Sequence, residues 1–125
     1  MTARWRDPPN SIFAIAIELE KFDQLARWAC SGEAYVIVAI GNTSLDEWQS
    51  LALSRARAAI VAQKLLSMGF PPTKVFSEGA GHRQLVAYEN VAGGREKNRR
   101  VEVEMVLLPD HPAAAPPCLF PKDAP

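Results

Sequence analysis

Few side chains in this sequence have both the type and the spacing to do chemistry. Arg57 stands mid-way along a helical stretch, and its guanidinium offers a planar fork that can hold a carboxylate through two parallel hydrogen bonds while remaining charged. Fifteen positions earlier, Asn42 follows an apolar run. Its amide can donate and accept, but it brings no charge to set against an ammonium group. Further along, Arg95, Lys97, Arg99 and Arg100 crowd around Asn98, with Glu96, Glu102 and Glu104 among them. That mixed cluster carries no interleaved aromatic platform, so a nucleic-acid face is not expected.

Other chemistries find little support. His82 has no second histidine or carboxylate cluster at metal-ligand spacing, so no metal is expected. Gly79-Ala80-Gly81 lacks the lysine and the following helix that a phosphate-cradling loop requires. No serine, cysteine or carboxylate pair falls into a recognisable arrangement of nucleophile and base. The expectation is a protein that is not an enzyme and needs no cofactor.

The elements that would position these residues follow from periodicity. Ser11 to Glu18 is apolar on both alternating faces and reads as a first, covered strand. From Glu20 the period becomes helical, with Phe22, Leu25, Ala26 and Ala29 on one stripe and Gly32 as the stop. Tyr35 to Ile40, β-branched and bounded by glycines, reads as a buried second strand. Ser44 and Glu47 form a capping-box pair that would open a second helix with the stripe Trp48, Leu51, Ala58, Val61, Leu65 and Met68. Gly69, Pro71 and Pro72 end it. Lys74 to Glu78 suits a short third strand, and the polar stretch from Gly79 to Arg99 suits a loop with one helical turn. Val101, Val103, Met105 and Leu107 alternate with Glu102, Glu104, Val106 and Leu108 in a last strand.

The 125 residues, 48% hydrophobic, are enough for one domain with its own core. The expected boundaries are an extended leader over residues 1–10, a domain over 11–108, and a proline-rich, extended or disordered tail over 109–125. Fourteen basic residues balance fourteen acidic ones, so no overall field draws the molecule to nucleic acid or anionic lipid. Cys30 and Cys118 fit neither a metal spacing nor a disulfide framework; two separate thiols is the simpler reading, and a bridge stays open. The longest apolar run, Ile12 to Ile17, falls far short of the roughly 20 residues that span a bilayer. Arg4 and Arg6 precede that run, but no small-x-small cleavage site follows it, so no secretory leader is expected.

Three blocks occur in order: Leu53-Ser54-Arg55-Ala56-Arg57-Ala58, Gly79-Ala80-Gly81, and Gly94-Arg95-Glu96-Lys97-Asn98-Arg99-Arg100-Val101-Glu102. Together they resemble the OmpA C-terminal family, over about 70 residues from Tyr35 to Val106. The resemblance implies an α/β sandwich of β-α-β-α-β-β type, with a mixed sheet and two main helices on one face. It implies a non-catalytic envelope module, periplasmic or outer-membrane associated, that binds the diaminopimelate-containing peptide stem of peptidoglycan or another envelope protein. The ligand-binding residues it implies are Asn42, Ser54, Arg57, Asn98 and Arg100, with Asn98 and one of the paired arginines bracing the loop beneath the ligand. Where the family carries an aspartate after strand two, this chain has Asn42, which weakens the charged grip on an ammonium. The alternative is a degenerate member that has lost peptidoglycan binding and serves as an interaction or structural domain. Asp46 is a carboxylate that could supply the missing charge, although its place in the capping segment suits a helix N-terminus. A continuous helix would hold Asn42 and Arg57 about 22 Å apart. The two can meet only if the loop after the strand climbs away and the helix returns past it.

Overall fold

The computed structural model describes residues 2–6, 19–29 and 33–112; the Ser11–Glu18 strand, Gly32, both cysteines and residues 113–125 of the expected tail lie outside the described residues. Four strands form one mixed sheet in the order β1-β4-β2-β3, where β1 is Thr2–Arg6, β2 Glu33–Gly41, β3 Val75–Gly79 and β4 Arg100–Pro112. β2 runs antiparallel to β4 and parallel to β3, so the chain between β2 and β3 must cross over the sheet, and α2 (Ser50–Ser67) makes that crossing. With α1 (Leu19–Ala29) and the short α3 (Gly94–Asn98), the order from α1 onward is the expected α-β-α-β-β, α3 being the single helical turn of the loop; the strand described before α1 is Thr2–Arg6, the expected one at Ser11–Glu18 lying outside the described residues.

Alternation decides which face is covered. Ile37 pairs with Met105, Ala39 with Val103 and Gly41 with Val101, so these side chains share one face of the sheet. They are buried with Leu25, Ala26 and Ala29 of α1 and Ala58, Val61 and Leu65 of α2 in a single core. Two helices therefore cover one face. On the other face Val36, Val38 and Ile40 are half-buried, while Phe76, Glu104 and Val106 are exposed.

The end of α2 follows from its sequence. Gly69 takes a left-handed φ of 107°, and its N–H bonds to Leu66 while that of Phe70 bonds to Leu65, which satisfies carbonyls the last turn leaves open. Phe70 is thereby tucked into the core, edge-on to Tyr35 with ring centroids 6.2 Å apart.

Three boundaries differ from the sequence reading. Residues 2–6, read as a leader, are an edge strand paired with β4 from Arg6↔Arg100 to Thr2↔Glu104. β4 runs on to Pro112, four residues into the stretch read as tail. The register slips between Glu33 and Ala34, so the prolines enter the sheet at an irregularity rather than within an even ladder. Finally, α2 begins at Ser50, not at Ser44, and Trp48 and Leu51 are exposed rather than part of its buried stripe. The cause lies at Gln49, whose left-handed backbone (φ 53°) separates the Ser44–Glu47 turn from the helix.

Candidate functional site

The site is built where β2 ends beneath α2. Gly41 and Gly79 stand opposite each other on neighbouring strands, and α2 lies directly over them. A Cβ on Gly41 would fall 1.8 Å from the Ser54 carbonyl oxygen, and one on Gly79 would fall 2.5 Å from the Ser54 hydroxyl. No side chain fits between helix and sheet here, so the backbones meet. Ser54 uses the approach, donating its hydroxyl to Leu51 O and accepting the N–H of Gly81 at 2.9 Å.

This close packing lets the chain turn back on itself as the spacing of Asn42 and Arg57 demanded. Arg57 Nη1 donates to the Asn42 carbonyl oxygen at 2.9 Å. The same guanidinium grips Glu47 through both carboxylate oxygens, at 2.7 and 2.5 Å, and the two side chains are 0% and 1% exposed. Glu47 also accepts the Ser44 N–H at 3.0 Å. Half of the expected capping box is thus present, but the carboxylate serves Arg57 and the turn rather than a helix start. Asn42 is itself buried, its amide nitrogen donating to Ile40 O and its backbone N–H to Arg100 O.

Asn98 and Arg100 hold the neighbouring loop. Asn98 accepts the N–H groups of Val86 and Ala87 and donates to Ala87 O and to the Glu89 carboxylate. Arg100 donates to the carbonyls of Gln84 and Asn98 and to Glu102. Both side chains are buried, and both fix backbone that would otherwise be free to move. Glu89 in turn accepts the Leu45 N–H at 3.0 Å, which ties this loop to the turn after β2. The structure brings Asn42, Ser54 and Arg57 together at the end of β2 and sets Asn98 and Arg100 under the facing loop.

Between the turn and the loop lies an open cleft of about 580 Å³ whose walls carry Asp46 on one side and Arg95 and Arg99 on the other. The Ser44 hydroxyl, which donates to Asp46, holds that carboxyl below the usual carboxylate range. Burial opposes this, and Arg95 and Arg99 add more weakly to the lowering. Asp46 is not part of the first turn of α2, so the helix-terminus role does not apply. Among the described residues no group of three histidine, cysteine, aspartate or glutamate side chains could hold a metal ion, and no helix is long and apolar enough to cross a membrane.

The OmpA family matches residues 14–99, more than half of the chain. The chain belongs to the OmpA family. Outer membrane protein A of Bordetella avium is 40% identical over 86 residues, which is 67% of this chain and 44% of that protein, so the chain spans less than half the length of this relative. Among solved structures, the peptidoglycan-associated lipoprotein of Burkholderia pseudomallei superposes with a TM-score of 0.74 at 21% identity, covering 82% of this chain and 89% of that one. The periplasmic domain of Helicobacter pylori MotB gives 0.72 at 17% identity over 85% and 75% of the two chains. The cell wall anchor of the Pseudomonas aeruginosa T6SS gives 0.67 at 23% over 85% and 80%. At these identities the structures establish the shared OmpA-like fold.

Two residues of the site escaped the sequence reading. Glu47 was assigned to a cap, yet Arg57 lies on the same helical face as Ser54, Ala58 and Val61, and an arginine on a buried face requires a carboxylate. That requirement was the available signal. Glu89 gave none, since its role depends on how the loop folds.

Proposed function

We propose that this domain is a non-catalytic binding module of the bacterial cell envelope that recognises the peptide stem of peptidoglycan from the periplasmic or outer-membrane side. The membership of residues 14–99 in the OmpA family carries this reading. Resemblance in fold to a peptidoglycan-associated lipoprotein and to a cell wall anchor supports it. In this reading Arg57 and Asn42 form the floor of the site, with Arg57 holding the turn after β2 through Glu47 and the Asn42 carbonyl. Ser54, Asn98 and Arg100 keep the two walls in place. The test is retention of the purified chain on isolated sacculi, where we expect the wild type to sediment with the wall.

A second reading, loss of wall binding in favour of contact with another envelope protein, is favoured by the Arg57–Glu47 pair. An internal carboxylate already occupies the fork that could have met a ligand. Failure of the wild type to sediment, with Glu47→Gln gaining retention, would establish the loss of wall binding on which that reading depends.

A further inference from the structure

The outward side of α2 lacks the charges that normally keep a surface helix in water. Opposite the buried stripe that faces the sheet run Ala52, Ala56, Ala59, Gln63 and Leu66, a line without a single ionised group. Their spacing of four, three, four and three residues holds all five on one seam, the repeat by which two helices pack side by side. The alanines would let a partner helix approach to an axial separation of about 8 Å. The two ends of the seam differ. Towards the C-terminus Leu66 is 40% exposed and stands out as a branched apolar knob. Towards the N-terminus a cleft of about 470 Å³ is lined by Trp48, Gln49, Ala52 and Leu53, with Trp48 75% exposed beside it. Leu66 and Ala52 lie equally far from Ala59, seven residues to either side, or about 10 Å along the helix axis.

We propose that this seam binds a second copy of the chain, the two α2 helices packing antiparallel about a two-fold axis at Ala59. Such an axis sets Leu66 of each copy into the cleft beside Ala52 of the other, so one surface supplies both the knob and the hole. Charge permits the arrangement. α2 contains Arg55, Arg57 and Lys64 and no carboxylate, so two copies would repel each other if these cations met. Arg57 is sealed beneath the helix and Lys64 lies off the seam. Arg55, which flanks the seam, comes level with Ala62 and Gln63 of the second copy, a methyl group and an amide rather than another cation. A foreign helix would need its own matching knob and hole, whereas a second copy has both by symmetry. One helix pair buries less than the roughly 1,200 Å² of a standard interface, so the dimer is expected to be weak, with a Kd in the micromolar range.

Sedimentation velocity of the full chain between about 1 μM and 1 mM tests this, with thermal unfolding of every variant followed in parallel. The wild type should pass from monomer to dimer within that range. Ala59→Arg sets two guanidinium groups together at the axis and should weaken the dimer at least about tenfold. Leu66→Ala removes the knob and should weaken it by about three- to tenfold. Both positions face outward, and arginine and alanine are strong helix formers, so both variants should unfold near the wild-type temperature. Orientation is read by oxidation in a Cys30→Ser, Cys118→Ser background, where Ala56→Cys should cross-link with Gln63→Cys in a mixture more readily than with itself. A wild type that stays monomeric at about 1 mM overturns the proposal, as does a dimer that folded Ala59→Arg and Leu66→Ala leave unchanged. Preferential self-linking of Ala56→Cys overturns the antiparallel packing. A monomer that instead binds phosphatidylglycerol vesicles through Trp48 and Leu66 overturns the second copy and makes this face a membrane contact.

Discussion

Asp46 and Glu47 are neighbours in sequence, and each faces an arginine, yet their surroundings give the two pairs opposite characters. Glu47 meets Arg57 at 2.5 Å with both side chains sealed from water. Asp46 meets Arg95 at 3.6 Å across an open cleft. Burial makes the first pair part of the architecture: neither ion can lose its partner without being left charged in a medium that cannot solvate it. Exposure leaves the second pair weak and therefore exchangeable, because water, salt or a ligand can replace either partner at little cost. One turn after one strand thus divides a sealed ion pair from an open one by turning two consecutive carboxylates to opposite sides.

The sealed side depends on how closely α2 lies on the sheet, so its most severe disruption comes from below. Gly41→Ala places a Cβ 1.8 Å from a backbone oxygen that belongs to the helix and cannot rotate away. We expect a loss of more than about 4 kcal/mol in urea unfolding, or no folded protein. A folded Gly41→Ala variant within about 1 kcal/mol of wild type would show that helix and strand separate easily here, and the seal around Arg57 would have to be explained otherwise.

Breaking the sealed pair itself should come next. Arg57→Leu and Glu47→Leu are each expected to cost about 3–5 kcal/mol, because each leaves the other charge buried alone. The double substitution should cost clearly less than the sum, since it removes both desolvated ions at once. Strict additivity in this cycle would mean that the two side chains act independently, against their doubly hydrogen-bonded geometry.

Much of this architecture was legible in the sequence. The strands β2 and β3 and the end of α2 at Gly69 follow from periodicity and glycine placement, while the approach of Arg57 to the turn at Asn42 was implied by the family resemblance alone. The start of α2 was not legible, because a capping box and a free-standing turn share the Ser-x-x-Glu pattern, and only the left-handed Gln49 tells them apart. The open cleft was hidden for a similar reason. Asp46 is far in sequence from Glu89 and Arg95, and the turn and the loop that carry them are tied by the Leu45 N–H bond to Glu89 and by the Asn98 bonds to loop backbone, none of which has a periodic signature. Local pattern marks elements well, but polar sites are assembled by long-range bonds between irregular segments.

Restoring a carboxylate at position 42 tests whether the floor of the site can itself become a recognition surface. In Asn42→Asp the buried side chain would lose the amide that donates to Ile40 O, and an oxygen would face that carbonyl instead. A destabilisation of about 1–3 kcal/mol is expected, measured by urea titration at neutral pH. A more stable variant would indicate that the new carboxylate reaches Arg57.

The open pair gives the smallest effect. The Asp46 carboxyl is held below its ordinary value chiefly by the Ser44 hydroxyl, so any stability it contributes is present above the unfolded value of about 3.9 and is lost as pH falls through the folded one. Exposure to solvent keeps that contribution well under about 1 kcal/mol. Asp46→Asn should therefore lie within about 0.5 kcal/mol of wild type at pH 7, and the small difference should shrink in acid and in high salt. Glu47→Leu should remain strongly destabilised at every salt concentration, because its partner charge is shielded from ions by burial. A cost above about 2 kcal/mol for Asp46→Asn would place Asp46 on the structural side of the turn with Glu47, and the open pair could no longer be called weak and exchangeable.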